Sequence, residues 1–281
     1  MAPGLATQRD LALESARARI ARLSALPLLD PRLPQVLAQR DVDIQYRQLR
    51  ELLRVDPALA VRVLKVANSA FFGSRSITSI DRALAVLGAV AVAGIAMAAR
   101  FDGSIAPACT ESGRLQHLRR HSLMTAVAAK RIVARTEGVW DGEGAFVLGL
   151  LHDLGWLVHV QIERERRLRP PEAVTSTPTA ELAEHALLSA ALFAHWQLPA
   201  QFIDAARDHH AVPEAGPASV GSALLAVAEQ CALHGGDAFG TDVRPPDSQL
   251  PLAMFEITEA DLPQLGAQCA AEAALLDGLV N

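Results

Sequence analysis

Aromatic residues are scarce in this sequence. They make up 4% of 281 residues, with a single tyrosine, three tryptophans and eight phenylalanines. That leaves no ring platform for stacking bases, and no basic stripe takes its place. Cysteine is rarer still: Cys109, Cys231 and Cys269 lie far apart and form no CxxC pair. This excludes a disulfide framework and fits reduced thiols in a cytoplasm. There is no excess of positive charge, since 26 Lys and Arg face 31 Asp and Glu for a net charge of -5. Nothing global therefore attracts nucleic acid or an anionic membrane. No GxGxxG or GxxxxGK phosphate loop and no GxSxG elbow occurs. Alternating strand runs and NG or DG hairpins are missing as well. The one long apolar run, Ala83 to Ala99, carries no charge but falls short of the ~18–20 residues a bilayer span needs, and reads as a buried helix. The opening segment lacks the apolar core and cleavage site of a secretory signal. Asp10 and Glu14 among its arginines argue against a transit peptide, and residues 1–25 read as an amphipathic helix.

What is abundant is alanine and leucine, in a chain that is 51% hydrophobic and 20% charged. That composition favours closely packed helices with a substantial core. Helix punctuation recurs. "DPRLPQVLAQR" and "DPALAVRVLKVANS" each open with Asp then Pro, an N-cap followed by a favoured first helical residue. In the second, Leu59, Val63, Val66 and Ala67 share one face, with an end near Asn68. "TSIDRALAVLG" restarts with a Ser or Thr cap. Polar or proline-rich breaks fall at 101–107, 169–179, 211–219 and 241–251, the last preceding a terminal helix around 259–279. The fold class is all-α.

Histidine carries the chemistry. His121, the His152–Asp153 doublet, His185 and the His209–His210 doublet each sit on or at the end of an apolar helical stretch, a costly place for an unpaired imidazole. Imidazole and carboxylate without thiolate suit iron, manganese, zinc or nickel. Neighbouring helical residues point about 100° apart, so His152 and Asp153 converge only where their helix ends. A carboxylate placed there bridges two ions, and such a pair activates water and clamps a phosphate.

"GLLHDLGW" with His121 upstream and His185, His209 and His210 downstream resembles the HD superfamily of metal-dependent phosphohydrolases. The order of "DPALAVRVLKVANSAFFG", "ITSIDRALAVLG", "HDLG", "AHWQLP" and "HH" more specifically resembles the HDOD family, the HD-related output domain of bacterial signalling. The resemblance implies a two-part helical bundle over 26–236, with an N-terminal helical subdomain at 26–103 and an HD-like subdomain at 113–236. Residues 237–281 would follow as a linker and C-terminal helix. It also implies one or two divalent ions (Fe, Mn, Zn or Ni) held by His121, His152, Asp153, His185, His209, His210 and Glu229. The catalytic role, if the protein is an enzyme, would fall on Asp153.

Two departures weigh against hydrolysis. Enzymatic relatives carry "HDxGK", whose lysine helps hold phosphate, whereas this chain has Trp156. The GYP signature that follows the histidine pair in the cyclic-dinucleotide phosphodiesterases is absent. The expectation is a cytoplasmic signalling protein that acts through protein partners, not through nucleic acid or a membrane, with homodimerisation left open. The alternative is a metal-dependent phosphohydrolase acting on a nucleotide or cyclic nucleotide. Glu181, one turn before His185, reads as a ligand-orienting group or an ordinary solvated charge. Phe71 and Phe72 read as core or a partner-binding patch, and Trp196 with Pro199 as a helix end packing on the next helix's first turn or a ligand wall. The basic run at 163–169 reads as a solvated helix end or a dock for an acidic partner.

Overall fold

The computed structural model describes residues 5–23, 29–72, 76–105, 112–136, 140–167, 178–210, 219–237 and 249–276. Among them every regular element is helical and no strand occurs. The chain opens with α1 (Leu5–Ile20), followed by α2 (Arg32–Ala38), α3 (Val42–Val55) and α4 (Pro57–Ala67). At α4 the Asp-Pro motif works as read: Asp56 accepts the Leu59 N–H at 3.0 Å, and Pro57 occupies the first turn. Leu59, Val63, Val66 and Ala67 are its buried face. At α2 the helix starts one residue later than the motif suggests. Pro31 takes the N-cap position and Asp30 accepts the Arg32 N–H at 3.0 Å. Asn68 ends α4 and pins the following loop, exchanging two hydrogen bonds with the Ile77 backbone at 2.7 and 2.8 Å.

The apolar run at 83–99 is two helices, not one. Ser79 caps α5 (Ile80–Leu87), and α6 (Ala89–Ile105) leaves it at 104°. Gly88 makes the corner with φ +82°, a left-handed conformation that side chains resist. The space a Cβ would take there is filled by the carboxylate of Glu143, which also accepts the N–H groups of Val90 and Ala91. One side chain thus caps α6 from a helix far along the sequence.

That helix is α8 (Gly142–Leu151), which packs on both α6 and α7 (Ser112–Val133). Then come α9 (Gly155–Arg167), α10 (Pro178–His195), α11 (Ala200–Asp208) and α12 (Val220–His234). Helix α7 lies against α8 and α12, α10 against α9 and α11, and α11 against α12, closing a bundle. Helix α1 does not stay with its neighbours in sequence. It lies on α10, burying Leu13, Ala16 and Ile20, and Arg19 pairs with Glu184. The terminal region is α13 (Gln249–Met254), a 3-10 turn and α14 (Leu262–Leu276), where the sequence suggested a linker and one helix. Arg131 of α7 ties α14 down through Glu272, Nε to Oε2 at 2.8 Å.

Phe71 and Phe72, just after α4, meet Phe146 of α8, with the Lys130 ammonium 4.6 Å from the Phe72 ring centre. Trp196 is buried against Phe193. One stretch among the described residues, Gly142–Glu165, is long and apolar enough to cross a membrane, and 89% of its apolar window is buried inside the protein. Cys231 and Cys269 are buried free thiols, and burial pushes them up to about 12 and about 11. Cys109 and the side chain of Glu181 lie outside the described residues, as does the end of the 163–169 run.

Candidate metal centre

Two helices end in the same way at this site. Helix α8 stops at Leu151, and His152 turns its ring back to donate Nδ1–H to the Gly149 carbonyl at 2.8 Å. Helix α11 stops at Asp208, and His209 does the same to the Ala206 carbonyl at 2.7 Å. A carbonyl can only accept, so both rings carry their proton on Nδ1 and turn a bare Nε2 inward when neutral. His121 is anchored likewise, with Nδ1 2.6 Å from Asp237 Oδ2. The ends of α8 and α11 also bring the negative ends of two helix dipoles to the site, which favours a cation.

His152–Asp153 forms the corner between α8 and α9, so the doublet converges as the end of a helix requires. Gly155 makes this possible, because a Cβ there would stand 2.0 Å from the His185 carbonyl oxygen. Its N–H donates to Ser189 Oγ at 2.8 Å, docking the start of α9 onto α10. Asp153 Oδ1 then lies 3.1 Å from His185 Nε2, 3.4 Å from His209 Nε2 and 3.4 Å from His152 Nε2. Its other oxygen, Oδ2, is 3.4 Å from His121 Nε2. From α12, Glu229 Oε1 stands 3.3 Å from His152 Nε2 and 3.6 Å from His209 Nε2. His210 completes the set, with Nε2 3.0 Å from His185 Nε2.

All seven residues expected from sequence therefore meet in one place. They fall into overlapping ligand sets: His121, His152 and Asp153; Asp153, His185, His209 and His210; and His152, His209 and Glu229. Asp153 belongs to two of them, with Oδ1 nearest His185, His209 and His152 and Oδ2 nearest His121.

The donor chemistry fits a cation. The Nε2 atoms of His121 and His152 face each other at 3.3 Å, as do those of His185 and His209. Facing lone pairs repel unless a proton or metal ion sits between them. Asp153 Oδ1 and Glu229 Oε1 are buried without a well-formed hydrogen bond, as is His185 Nδ1. Such atoms are costly to leave alone. Burial would lower the His152 value, but the Asp153 and Glu229 carboxylates outweigh it and push it up to about 9. Burial opposes the charge on Asp153 too, yet His152 and His185 hold it well below the usual carboxylate range. His210 is driven down to about 3, chiefly by burial and then by His209. The cluster sets carboxylates against imidazoles in a buried place, with His152 favoured as charged and His210 as neutral.

Trp156 follows the doublet at the start of α9. Its ring stacks on His185, centres 4.7 Å apart and planes 14° from parallel. His121, His152, Asp153, His185 and His209 are 0–5% exposed.

The HDOD domain matches residues 23–212. The chain belongs to the HDOD family. It is similar in fold to a proposed signal transduction protein from Marinobacter aquaeolei VT8, with a TM-score of 0.71 and 18% identity, over 98% of this chain and 66% of that one. A proposed phosphohydrolase from Shewanella amazonensis SB2B superposes with a TM-score of 0.66 and 20% identity, over 96% of this chain and 98% of the other. At these identities the likeness is one of fold. An uncharacterized protein of Treponema pallidum (strain Nichols) is 28% identical over 210 residues, 69% of this chain and 39% of its own length. The HDOD chain described here thus spans about two fifths of that relative. The matched segment ends before α12, so Glu229 and Asp237 reach the cluster from beyond it. Asp237 was not legible as a site residue, since the sequence shows only an acid after a helix-ending Gly-Gly.

Proposed function

We propose that this HDOD protein is a bacterial signalling module that acts through protein contacts and holds one or two divalent ions as part of its architecture. The observation that carries this reading is the Trp156 indole stacked on His185, one of the candidate ligands. A phosphate ester must touch the ions to be hydrolysed, yet five of the seven ligand side chains are buried and His210 and Glu229 are half-buried. The side chain that could have drawn a phosphate in is an indole stacked on His185. His121, His152, Asp153, His185, His209, His210 and Glu229 would hold the ions. Bound there, iron, manganese, zinc or nickel would supply the positive charge that the facing nitrogens and carboxylates lack. The HDOD match and the likeness to a proposed signal transduction protein support the signalling role.

A second reading, a metal-dependent phosphohydrolase acting on a nucleotide or cyclic nucleotide, is favoured by one feature. Asp153 sits in two overlapping ligand sets, with Oδ2 toward His121 and Oδ1 toward His185 and His209, as a carboxylate between paired ions would. Elemental analysis of the purified protein, followed by a nucleotide and cyclic-dinucleotide panel, separates the two. Bound metal without phosphate or linear product supports the architectural reading. Turnover that disappears in Asp153→Ala overturns it in favour of the hydrolase.

A further inference from the structure

Helix α12 ends in a way that places one more acid against the cluster. Gly236 N–H donates to the Leu233 carbonyl at 3.0 Å and Asp237 N–H to the Ala232 carbonyl at 3.1 Å. Those two bonds form a Schellman turn, with Gly236 at φ +85° as its left-handed residue. The residue that follows such a glycine is commonly apolar and packs back on the helix. Here it is Asp237, only 6% exposed, and its carboxylate is turned onto His121. A buried carboxylate in an apolar position is expensive without a specific partner. The partner is a ring whose other nitrogen faces His152 and Asp153.

We propose that Asp237 is the positioning residue of the His121 side of the centre. By accepting Nδ1–H it commits His121 to one tautomer and one ring orientation, so that the Nε2 lone pair is presented to the ion shared with His152 and Asp153. The role matches the one that Gly149 and Ala206 carbonyls play for His152 and His209. The inference rests on the metal-centre reading and adds to it a residue outside the family-matched segment.

The test is titration of metal-stripped full-length protein with cobalt(II) alone, following its visible absorption. Removing such a partner weakens metal affinity by about 10–100-fold, and this is the loss expected for Asp237→Ala. Asp237→Asn, whose amide oxygen still accepts Nδ1–H, should recover most of it. In a His121→Ala background the Asp237→Ala change should have little further effect, because the ring it positions is gone. Nitrogen-15 NMR of the His121 ring in the stripped protein reads the same role without metal: Nδ1–H alone in the wild type, a tautomer mixture in Asp237→Ala. If Asp237→Ala does not fold, Gly236→Ala moves the same carboxylate and should produce the same mixture. Wild-type affinity and a single tautomer in folded Asp237→Ala overturn the proposal, as does an equal loss with and without His121. Absence of cobalt binding by the wild type overturns the metal-centre reading, and this role with it.

Discussion

The two halves of the molecule are held together by opposite chemistry. Helices α2 to α6 pack almost entirely through aliphatic side chains, with Leu33, Val36, Leu49, Val63, Leu84 and Ile95 at 0–1% exposure. Their polar groups serve caps and loops, as Asp41, Asp56, Ser79 and Asn68 do. Helices α7 to α12 bury an equally apolar shell around a polar centre of five imidazoles and three carboxylates, counting Asp153, Glu229 and Asp237. The first half satisfies itself on folding. The second gathers facing imidazole nitrogens and buried carboxylate oxygens whose arrangement suits a cation. Hydrophobic burial is non-directional and tolerant, whereas a convergent polar site depends on each ring being held in one orientation.

The largest expected effect breaks the comparison in two. Stripping the protein with a chelator should lower hydrogen-exchange protection in α7 to α12 and leave α2 to α6 near their original protection. Equal loss in both halves would show that the centre supports the whole fold and not its own half. Next comes Trp156→Ala, which removes a buried indole and the lid on His185, at a cost of about 3–5 kcal/mol. Metal exchange should accelerate in this variant while nucleotide turnover stays absent. New turnover would show that the lid alone had suppressed hydrolysis. Leu84→Ala in the aliphatic half should cost about 2–5 kcal/mol in urea unfolding, by the same amount with or without metal. A metal-dependent cost would tie the halves more closely than the packing suggests.

The smallest effect lies at the seam. Burial raises Glu143 above the usual carboxylate value, with Asp141 adding to the shift and the Val90 and Ala91 amides and Lys130 opposing it. A raised value means that folding favours the protonated form. The stability it contributes is present below the ordinary glutamate value and is lost as pH rises through the folded one. Glu143→Gln should flatten stability against pH over that window, by less than about 1 kcal/mol since the group is only part-buried. A variant that still loses stability in parallel with the wild type would place that pH dependence elsewhere.

Much of this protein could be read from the order of its residues. Ala- and Leu-rich helices, the Asp-Pro and Ser caps and the faces of α4 follow from local rules, because capping and periodicity act within one or two turns. His121, His152, Asp153, His185, His209 and His210 stood out as polar groups on apolar helices, whereas Glu229 was assigned only through the resemblance to the HD superfamily. Position at a distance was not legible. The break at Gly88 depends on Glu143, which arrives from α8 to cap α6. Helix α1 leaves its sequence neighbours for α10 because Leu13, Ala16 and Ile20 find their complement there, with Glu184 waiting for Arg19.

Sequence by itself determined that this chain is helical, because capping and periodicity are properties of residue types and their spacing, while the seven candidate ligands were named through its resemblance to a known family. Only the tertiary structure decided which nitrogen of each ring points inward, that Asp153 faces two ligand sets, that Trp156 lies flat on His185, and that Asp237 holds His121. Orientation is set by partners from other helices, and those partners meet only when the chain has folded.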